Sequence, residues 1–500
     1  MMRVLGVSAS LRNIRRAAGS EQFVKEIDEI TSFDHLMEYL KKQANFGLSA
    51  FIEAGRKDGK SFDEIYRNLR RLSTKFGMSN SEVMLAAGLW GARKSGAEID
   101  HLSLSDYFEK RKLDTKTRGR LLKKIKEADG ILLSGPVYFG DRSSLAHDFL
   151  QELRKTDDIV KNKIFAGIAV GAKRNGGQET CLIYQMIDFL NLGMLAVGND
   201  DKTTAQYGGT GHAGDIGSAA EDPYGIETSI GTGKRLTEVL KIRKLSKQTV
   251  LKDKPRIGIV ILQDLHGRVK KFVEEKILKS RLSRKADFKF FYFADETVRR
   301  CIACDMCPKT IDKDEIYRCI IKEKHDVFVR YHKEIVELDA LIVGGYSPNE
   351  FRDLHSVYQS FMERTRYLRR GDYVFSNLIV APFVIQEIGS RENLQTRIHT
   401  SIIRHHTVVH QPIIFHTVAG KMISFRKSFR ILDNFLDMAN AYTSGRIMYY
   451  CNFESYSNYT PFGYTLSSER DRLPLTMDKR RENMINRKEN FKRMLRSRIM

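Results

Sequence analysis

Short runs of apolar residues alternate with longer amphipathic stretches along the chain. Such runs are typical of parallel strands buried on both faces, and the stretches between them, clearest at 144–155 and 179–192, are typical of helices. In the first half the apolar runs cover residues 3–7, 98–102, 130–134 and 164–170. In the second half they cover residues 256–262, 288–293, 340–344 and 378–384. This alternation predicts an α/β protein with two doubly wound parallel sheets in tandem.

The two halves also echo each other in sequence. The segment ADGILLSG at 128–135 is matched by LDALIVGG at 338–345, and a helical stretch follows each segment. A charged stretch at 244–254 has the composition of a linker. The predicted organisation is a first domain at 1–245, a second domain at 255–475 and a basic C-terminal tail at 476–500.

The length of the chain and the length of its apolar runs narrow the class of protein. The 500 residues exceed what one hydrophobic core usually organises. The longest apolar runs, at 257–262 and 378–385, are too short to cross a bilayer, and the first residues lack the order of a signal peptide. We therefore expect a cytoplasmic protein without a membrane span.

The formal net charge of +22 favours a partner of opposite charge or serves solubility. Residues 479–500 concentrate nine Lys and Arg against two Glu, a pattern that predicts a solvated or packed terminal helix. No zinc-finger, homeodomain or RNA-binding signature accompanies this tail, so the sequence does not favour nucleic acid as a partner.

Three loops of the first half follow predicted strands, where doubly wound folds bind their ligands. The loop at 8–13 (SASLRN) offers hydroxyl and backbone N–H groups to a phosphate at the start of a helix. The loop at 135–140 (GPVYFG) presents a fixed turn and aromatic rings to a flat ligand. The loop at 173–179 (KRNGGQE) allows close backbone approach at its glycines and offers polar side chains.

Four of the six cysteines fall within nineteen residues, at Cys301, Cys304, Cys307 and Cys319. Without a secretory segment, such a cluster indicates a metal site and not a disulfide knot. The C-x2-C-x2-C core is close to the ferredoxin run and predicts a [4Fe–4S] cluster. Zinc and a metal-free loop are the alternatives, although zinc usually binds two CxxC pairs set well apart.

Together, the S-x-S-x-R, PVYFG and RNGGQE loops resemble those of the NAD(P)H-dependent FMN reductases of flavodoxin-like fold, and the cysteines resemble those of the iron–sulfur flavoprotein branch. The family's phosphate loop continues through a Ser-Asn-Ser-like element, which here appears only at 79–81. The resemblance therefore implies a helical insertion at about 14–78. Ser79 and Glu82 also have the spacing of a capping box, so an unrelated helix start is the alternative.

The resemblance implies a set of FMN-binding residues drawn from four loops. These are Ser8, Ser10, Arg12, Asn13, Ser79, Asn80, Ser81, Pro136, Val137, Tyr138, Phe139, Gly140, Arg174, Asn175, Gly176, Gly177, Gln178 and Glu179. No catalytic acid or base is expected, since the cofactors carry the chemistry.

The second half lacks these loops. Asp264, after its first strand, would repel a phosphate, and residues 346–350 and 386–393 replace the other two loops. The segment that begins at Cys319 resembles the family's tail after its cysteine motif. The gap before Cys319 is longer than the family's, so Cys451 is a reserve candidate for the fourth ligand.

The function implied is an oxidoreductase that passes electrons between NAD(P)H, FMN in the first domain and a [4Fe–4S] cluster in the second. The acceptor is a small molecule or a protein, with an acidic redox protein as one candidate, and a homodimer is one assembly implied. The alternatives are a cluster-free NAD(P)H:FMN or quinone reductase and a non-enzymatic electron carrier or redox sensor that docks an acidic partner.

Two further groups are expected to be structural. Five of the thirteen histidines lie between His399 and His416, where β-branched residues alternate and a strand would separate potential ligands. The remaining cysteine, Cys181, falls within a predicted helix and is expected to be a core thiol.

Overall fold

A computed structural model describes residues 2–12, 19–71, 77–108, 113–156, 158–203, 205–304, 307, 319–370, 373–423, 425–452 and 492–500. The chain forms two compact units, Met1–Leu240 and Lys241–Met500.

Unit 1 is built on a parallel sheet with the strand order β2–β1–β3–β4–β5, in which β6 continues the fifth position beside β4. This is the flavodoxin-like doubly wound order. Every apolar run predicted in this half coincides with a strand. The strands are β1 (Arg3–Ser8), β2 (Glu98–Ser103), β3 (Gly130–Pro136), β4 (Ile164–Gly171), β5 (Leu195–Ala196) and β6 (Gly209–His212).

Helices connect these strands and cover the sheet. They are α1 (Gly19–Glu29), α2 (Phe33–Ala44), α3 (Leu48–Lys57), α4 (Phe62–Arg71), α5 (Asn80–Lys94), α6 (Thr115–Glu127), α7 (Ser144–Arg154), α8 (Gln178–Asn191) and α9 (Pro223–Leu245). Twelve of the fifteen residues of α5 are buried, as expected of a helix enclosed on all sides. Helix α5 is therefore the central helix of the unit.

Helices α1–α4 lie between β1 and α5 in the chain, which confirms the predicted helical insertion. The insertion packs against α5 and its start. Trp90 donates its indole N–H to the Ile30 carbonyl (3.1 Å), Arg93 pairs with Asp28 (2.6 Å), and the Met78 N–H donates to the Gln43 carbonyl (2.9 Å). The insertion is thus tied to the helix that follows it.

Unit 2 repeats the order of unit 1, with parallel strands β8–β7–β9–β11 and then β12 and β13 along the far edge of β11. Two short strands, β10 and β14, run antiparallel to β7 and β13. The strands are β7 (Arg256–Asp264), β8 (Asp287–Tyr292), β9 (Ala340–Ser347), β10 (His355–Ser356), β11 (Ile379–Glu387), β12 (Val408–Val409), β13 (Ile413–Val418) and β14 (Lys421–Ile423). The predicted fold class, two flavodoxin-like sheets in tandem, is confirmed.

The helices of unit 2 are shorter, except the last. They are α10 (Arg268–Val273), which a π-helical turn continues through Glu274–Leu278, α11 (Val327–Arg330), α12 (His332–Val336), α13 (Tyr358–Arg364), α14 (Arg366–Arg370), α15 (Leu394–Ile402) and α16 (Arg426–Asn452). Among the described residues of the chain, no helix is long and apolar enough to cross a membrane.

The described end of the chain, residues 492–500, packs within unit 2. Leu495 is buried with Leu251 and Ile447, and the Arg498 guanidinium pairs with both oxygens of Asp339 (2.9 and 2.7 Å). Backbone bonds also join this end to residues 250–252, inside the predicted linker. Residues 476–491 of the predicted tail lie outside the described part.

Candidate functional site

Two segments of the predicted phosphate loop, separated by the insertion, meet at the carboxyl end of β3. The Ala9 N–H donates to the Ser134 carbonyl (2.8 Å), so the chain beyond β1 stays beside β3. The Ser134 hydroxyl donates to the Ser81 carbonyl (2.8 Å), which ties the start of α5 to the same point. Residues 8–10 and 79–81 therefore lie at one edge of the sheet.

The polar groups of this edge differ in what they contact. The Ser8 hydroxyl is buried and has no hydrogen-bond partner among the described residues. The Ser10 hydroxyl accepts from the Arg12 N–H (3.2 Å). Asn13 lies outside the described residues. The buried, unpaired Ser8 hydroxyl is the group of this loop most readily explained by a bound ligand.

The start of α5 is fixed by its cap. The Ser79 hydroxyl accepts from the Glu82 N–H (3.2 Å), and the Glu82 carboxylate accepts from the Ser79 N–H (3.1 Å), which confirms the predicted capping box. The Asn80 amide donates to the Asp215 carbonyl (2.8 Å) and accepts from the Ala219 N–H (3.3 Å). Asn80 thus holds the loop at 215–219 in place.

The PVYFG and RNGGQE loops touch through their glycines. A side chain at Gly177, where φ is +92°, would place its Cβ 2.9 Å from the Gly140 Cα. Between these loops and the strands, the Val137 N–H donates to the Val170 carbonyl (2.9 Å), so Pro136 and Val137 remain beside β4. The close backbone approach predicted for this loop is therefore present.

Two aromatic side chains of the second loop face solvent. Tyr138 is 57% exposed and Phe139, in the left-handed region at φ +52°, is fully exposed. Exposed rings side by side at a ligand-binding edge are unusual for a surface without a partner. They suit a site that covers a flat ring.

The polar side chains of the third loop, at 173–179, make different contacts. Arg174 pairs with Asp222 and lies over the Tyr224 ring, 5.2 Å from its centroid. The Gln178 amide donates to the carbonyls of Lys173 (2.8 Å) and Gly211 (3.1 Å), and its own oxygen is buried without a hydrogen-bond partner among the described residues. Arg174 and Gln178 therefore mainly stabilise the loop.

The other members of this loop complete the predicted set. Asn175 takes the left-handed region at φ +59°, Gly176 lies so close to the Lys173 carbonyl that a Cβ would be 2.7 Å from it, and Glu179 is exposed in the first turn of α8. The predicted loops thus converge at the carboxyl edge of β1, β3 and β4. A buried unpaired hydroxyl, exposed rings and close backbone approach fit a flat phosphorylated ligand such as FMN.

In unit 2 the four predicted cysteines line one small pocket. Cys301, Cys307 and Cys319 are half-buried and Cys304 is exposed. Burial raises the pKa of the Cys307 thiol; Arg370 opposes this shift, and Cys319, Cys301 and Cys304 add to it. The four side chains therefore interact electrostatically across the pocket.

Arginines surround the cysteines. Arg364, Arg366 and Arg370 line the pocket together with Tyr367, and Arg364 and Arg370 are buried. Arg364 pairs with the buried Asp326 (3.1 Å) and hydrogen-bonds the Cys319 side chain. Burial lowers the pKa of Arg364, but Cys319 and Asp326 outweigh it and the pKa is raised. Of the described residues that line this pocket, none carries a carboxylate.

The cysteines are near one another without forming a finished metal site. Within the described residues, no three His, Cys, Asp or Glu side chains come together as ligands of one metal ion. The segments next to the motif, 305–306 and 308–318, lie outside the described residues. The donor set, four thiols beside guanidinium groups, still fits a soft metal centre of negative charge.

Cys451 does not reach this pocket. It is buried on α16 beside Leu251, Ile447 and Leu495. Burial raises the pKa of its thiol, as expected for a core side chain. Cys181 is likewise buried in unit 1, where burial raises the pKa of its thiol to about 12. Both thiols have the surroundings of structural cysteines.

The edge of unit 2 that corresponds to the phosphate loop is filled by Asp264. Its buried carboxylate accepts from the N–H groups of Leu265 (2.7 Å), Val269 (3.0 Å) and Lys270 (3.2 Å). These amides belong to the loop and first turn of α10, where a phosphate would bind in a flavodoxin-like fold. The Asp264 carboxylate thus occupies the anion position with a group of the chain itself.

The clustered histidines have structural surroundings. His399, His405, His406 and His410 are buried, and His416 is exposed on β13. Burial lowers the pKa of His399 and of His410 to about 4. These two rings are therefore neutral near pH 7, in agreement with the structural role expected of them.

Sequence reasoning missed several residues that shape the flavin edge. Ser143 holds the β1 loop through the Ala9 carbonyl, and Ser134 holds the start of α5 through the Ser81 carbonyl. Asp222 and Tyr224 hold Arg174. Nothing in the sequence predicts the pairing of Asp222 with Arg174. Ser134 and Ser143 carry no signal beyond their position after apolar runs.

Comparison with known proteins supports a flavin site at the carboxyl edge of unit 1. Residues 74–207 match the family model for NADPH-dependent FMN reductase. An iron–sulfur flavoprotein of Methanocaldococcus jannaschii is 42% identical over 126 residues, which cover 25% of this chain and 65% of the relative. An iron–sulfur flavoprotein of Methanosarcina thermophila is 33% identical over 128 residues, which cover 24% of this chain and 61% of the relative. The chain thus spans less than two thirds of the length of each.

A third relative, an iron–sulfur flavoprotein of Archaeoglobus fulgidus, is 26% identical over 170 residues, which cover 30% of this chain and 85% of the relative. Among solved structures, a WrbA-like flavodoxin of Agrobacterium tumefaciens is 19% identical and covers 31% of this chain and 87% of its own, with a TM-score of 0.24. That score is too low to support a conclusion, and the fold rests on the strand orders above. Residues 74–207 of unit 1 are thus similar to NADPH-dependent FMN reductases and to iron–sulfur flavoproteins.

Proposed function

We propose that this chain is an FMN-dependent oxidoreductase that takes electrons from NAD(P)H and passes them through a [4Fe–4S] cluster to an acceptor. The observation that carries the proposal is the pocket of unit 2, where Cys301, Cys304, Cys307 and Cys319 meet three arginines. It lies in the same chain as a unit with the family's loops.

FMN would be held at the carboxyl edge of unit 1. The Ser8 hydroxyl and the first turn of α5 would receive the phosphate, Val137 and Gly140 would offer backbone groups, and the rings of Tyr138 and Phe139 would cover the flat ring system. When bound, FMN would supply the chemistry that accepts a hydride and releases the electrons one at a time. The residues of this edge bind and orient it, and the Gly140–Gly177 contact fixes the two loops that flank it.

The four cysteines would hold the cluster, which supplies one-electron transfer when bound. The arginines of the pocket favour this occupant over four neutral thiols. A buried guanidinium remains charged and is stabilised by negative charge nearby, and Asp326 provides one carboxylate for Arg364. A cluster ligated by four thiolates carries net negative charge, so the guanidinium groups that line the pocket would stabilise it.

One observation favours a second candidate function, a cluster-free NAD(P)H:FMN or quinone reductase. In the described part of the chain, no three potential ligands are placed so that they could bind one metal ion. In that case the cysteine loop would be structural, and electrons would leave directly from the flavin edge of unit 1.

Anaerobic reduction tests the proposal. Protein purified without oxygen is mixed with NADPH or NADH, and absorbance of flavin and cluster is followed, with turnover measured using ferricyanide. We expect bleaching of both chromophores and steady turnover with at least one nucleotide. Flavin bleaching without an iron–sulfur signal supports the cluster-free reductase. Flavin and cluster that neither nucleotide reduces would contradict the proposal and favour a carrier.

A further inference from the structure

Unit 2 contains a second and larger pocket, apart from the cysteines. It lies at the carboxyl ends of β9, β11 and β13 and has a volume of about 340 Å³, within the range of small-molecule sites. One wall is a single face of α10 and its π-helical continuation, with Arg268, Lys271 and Lys276 at helical spacing. The other wall is the β13–β14 hairpin.

Buried hydrogen bonds fix this hairpin wall. The Glu387 carboxylate accepts from the Thr417 hydroxyl (2.5 Å), the Tyr346 hydroxyl (3.0 Å) and the Gly420 N–H (3.4 Å). Burial raises the pKa of Glu387, but these donors outweigh it and the pKa is lowered, so the carboxylate is ionised near pH 7. The turn is therefore held to β11 by a charged group, independently of any ligand.

The helical wall is tied to the same network. Arg268 donates to the Tyr346 hydroxyl (2.9 Å), and its guanidinium lies 5.4 Å from the Tyr346 ring centroid. Tyr346 is buried, so it joins Arg268 on one wall to Glu387 behind the other. The pocket is thus built in advance, and its shape does not depend on exposed side chains alone.

The charges of the pocket are unbalanced. Four cations line it, Arg268, Lys271, Lys276 and Lys421, against the single carboxylate of Glu275. Within the described part of the chain, Lys271, Lys276 and Lys421 form no ion pair with a carboxylate. Lysines grouped around a cavity without ion-pair partners favour a ligand with more than one negative charge.

The floor is apolar. Phe272, Ile385 and Met422 line it, and Ile385 is buried. Phe272 is half-buried and packs against Phe415, with ring centroids 4.7 Å apart, so its position is fixed from behind. An aromatic and aliphatic floor suits a flat ring, as in protein sites that stack a nucleobase.

We propose that this pocket binds a nucleoside diphosphate group, with the base on the Phe272 floor and the phosphates between Lys271 and Lys421. The location agrees with the rule that doubly wound sheets bind ligands at the carboxyl ends of their strands. The group can come from a free nucleotide or from the adenylate half of a dinucleotide. This site does not depend on the flavin or the cluster. Its test is therefore independent of the test of the proposed function.

Calorimetric titration of the full chain with ADP tests the proposal. We expect saturable binding at one site per chain, weakened about tenfold in Lys271→Gln and in Lys421→Gln, because each removes one charged contact to phosphate. The matched control is Lys279→Gln, which removes the same charge from an exposed lysine that follows the π-helical turn and does not line the pocket. Binding that is absent, or that falls equally in the control, would overturn the proposal.

Three further ligands identify the chemical group that the pocket recognises. Inorganic pyrophosphate should bind at least about tenfold more weakly than ADP, since it cannot use the apolar floor; equal binding would overturn the assignment to a nucleoside diphosphate. NADPH and NADH are then tested as competitors for ADP. Competition identifies a dinucleotide as a source of the group, and ADP binding without competition identifies a free nucleotide; both outcomes support the site.

Discussion

Gly177 sets the distance between two loops of the candidate flavin site. Its φ is positive, and an added Cβ would lie 2.9 Å from the Gly140 Cα, so there is no room for a side chain. In Gly177→Ala, left-handed strain of about 1–2 kcal/mol and this clash should separate the loops. We expect FMN affinity to fall about tenfold or more, measured by equilibrium dialysis.

Gly119→Ala is the control for this substitution. Gly119 lies within α6, and an added Cβ would meet nothing within 4 Å. The substitution should leave FMN affinity unchanged and raise helix stability by about 0.5–1 kcal/mol. Equal FMN affinity in both variants would show that the loop contact does not shape the site.

Asp200 makes unit 1 less stable at neutral pH than an uncharged side chain would. Burial raises the pKa of its carboxyl to about 6, although the Lys202 N–H opposes the shift. A folded pKa above the unfolded value disfavours the ionised form in the folded state. The destabilisation is complete above pH 6 and disappears as pH falls towards the unfolded value near 4.

Asp200→Asn should therefore raise the free energy of unfolding at pH 7.5 by about 1 kcal/mol, a value reduced from the full shift because the side chain is partly exposed. The gain should vanish near pH 4.5. Urea unfolding at both pH values measures it, with the exposed Asp63→Asn as control. A gain of equal size at both pH values would contradict the assignment to Asp200 ionisation.

At the scale of elements, the last residues of the chain complete the core of unit 2. Asp339 is buried and accepts from Arg498, from Arg446 (3.3 Å) and from the Arg256 N–H (2.9 Å). Arg498→Ala should lower the free energy of unfolding by about 2–3 kcal/mol, because it leaves part of a buried carboxylate unpaired. Chemical unfolding followed by circular dichroism measures this change.

Arg493→Ala is the matched control for the same segment. Arg493 is exposed, and its removal should change the free energy of unfolding by less than about 0.5 kcal/mol. A loss of similar size in both variants would mean that residues 492–500 contribute through general charge or helix content and not through the Asp339 network.

The elements themselves were largely predictable from sequence. Strands buried on both faces must be apolar throughout, so runs such as 130–134 and 256–262 identify β3 and β7 within two residues at either end. The capping box at Ser79 located the start of α5 despite the insertion before it. The insertion was recognisable because it separates two parts of one loop motif.

Contacts between loops distant in sequence were not predictable. Asn80 contacts Asp215 and Ala219, more than a hundred residues away, and no local pattern encodes that pairing. Asp264 was predicted to repel a phosphate, but its capture of the amides of α10 depends on the exact backbone path. The arginines around the cysteines lie on α13 and α14, which sequence spacing does not connect to the motif.

For the molecule as a whole, a net charge of +22 should affect the rate of electron transfer. Attraction accelerates association with anionic acceptors and is screened by salt. We expect kcat/KM for ferricyanide to fall severalfold between about 20 mM and about 0.3 M ionic strength. The value for an uncharged benzoquinone should change less than about twofold. Equal salt dependence for both acceptors would show that the charge does not guide them.

The central claim for the whole molecule is a division of cofactors between its units. Unit 1 has loops that resemble those of NADPH-dependent FMN reductases, with a buried, unpaired Ser8 hydroxyl and rings exposed at the binding edge. Unit 2 repeats the strand order, but Asp264 fills its anion position and its cysteines line a separate pocket. One copy of the fold would therefore bind flavin and the other a cluster.

Assay of FMN, iron and zinc in anaerobically purified protein tests this claim most directly, in the wild type, in Cys301→Ser and in the control Cys451→Ser. We predict about one FMN and about four irons per chain, loss of iron but not FMN in Cys301→Ser, and retention of both in Cys451→Ser. Iron that persists in Cys301→Ser, or FMN accompanied by zinc or by no metal, would contradict the cluster assignment. Protein that binds no flavin would contradict the account as a whole.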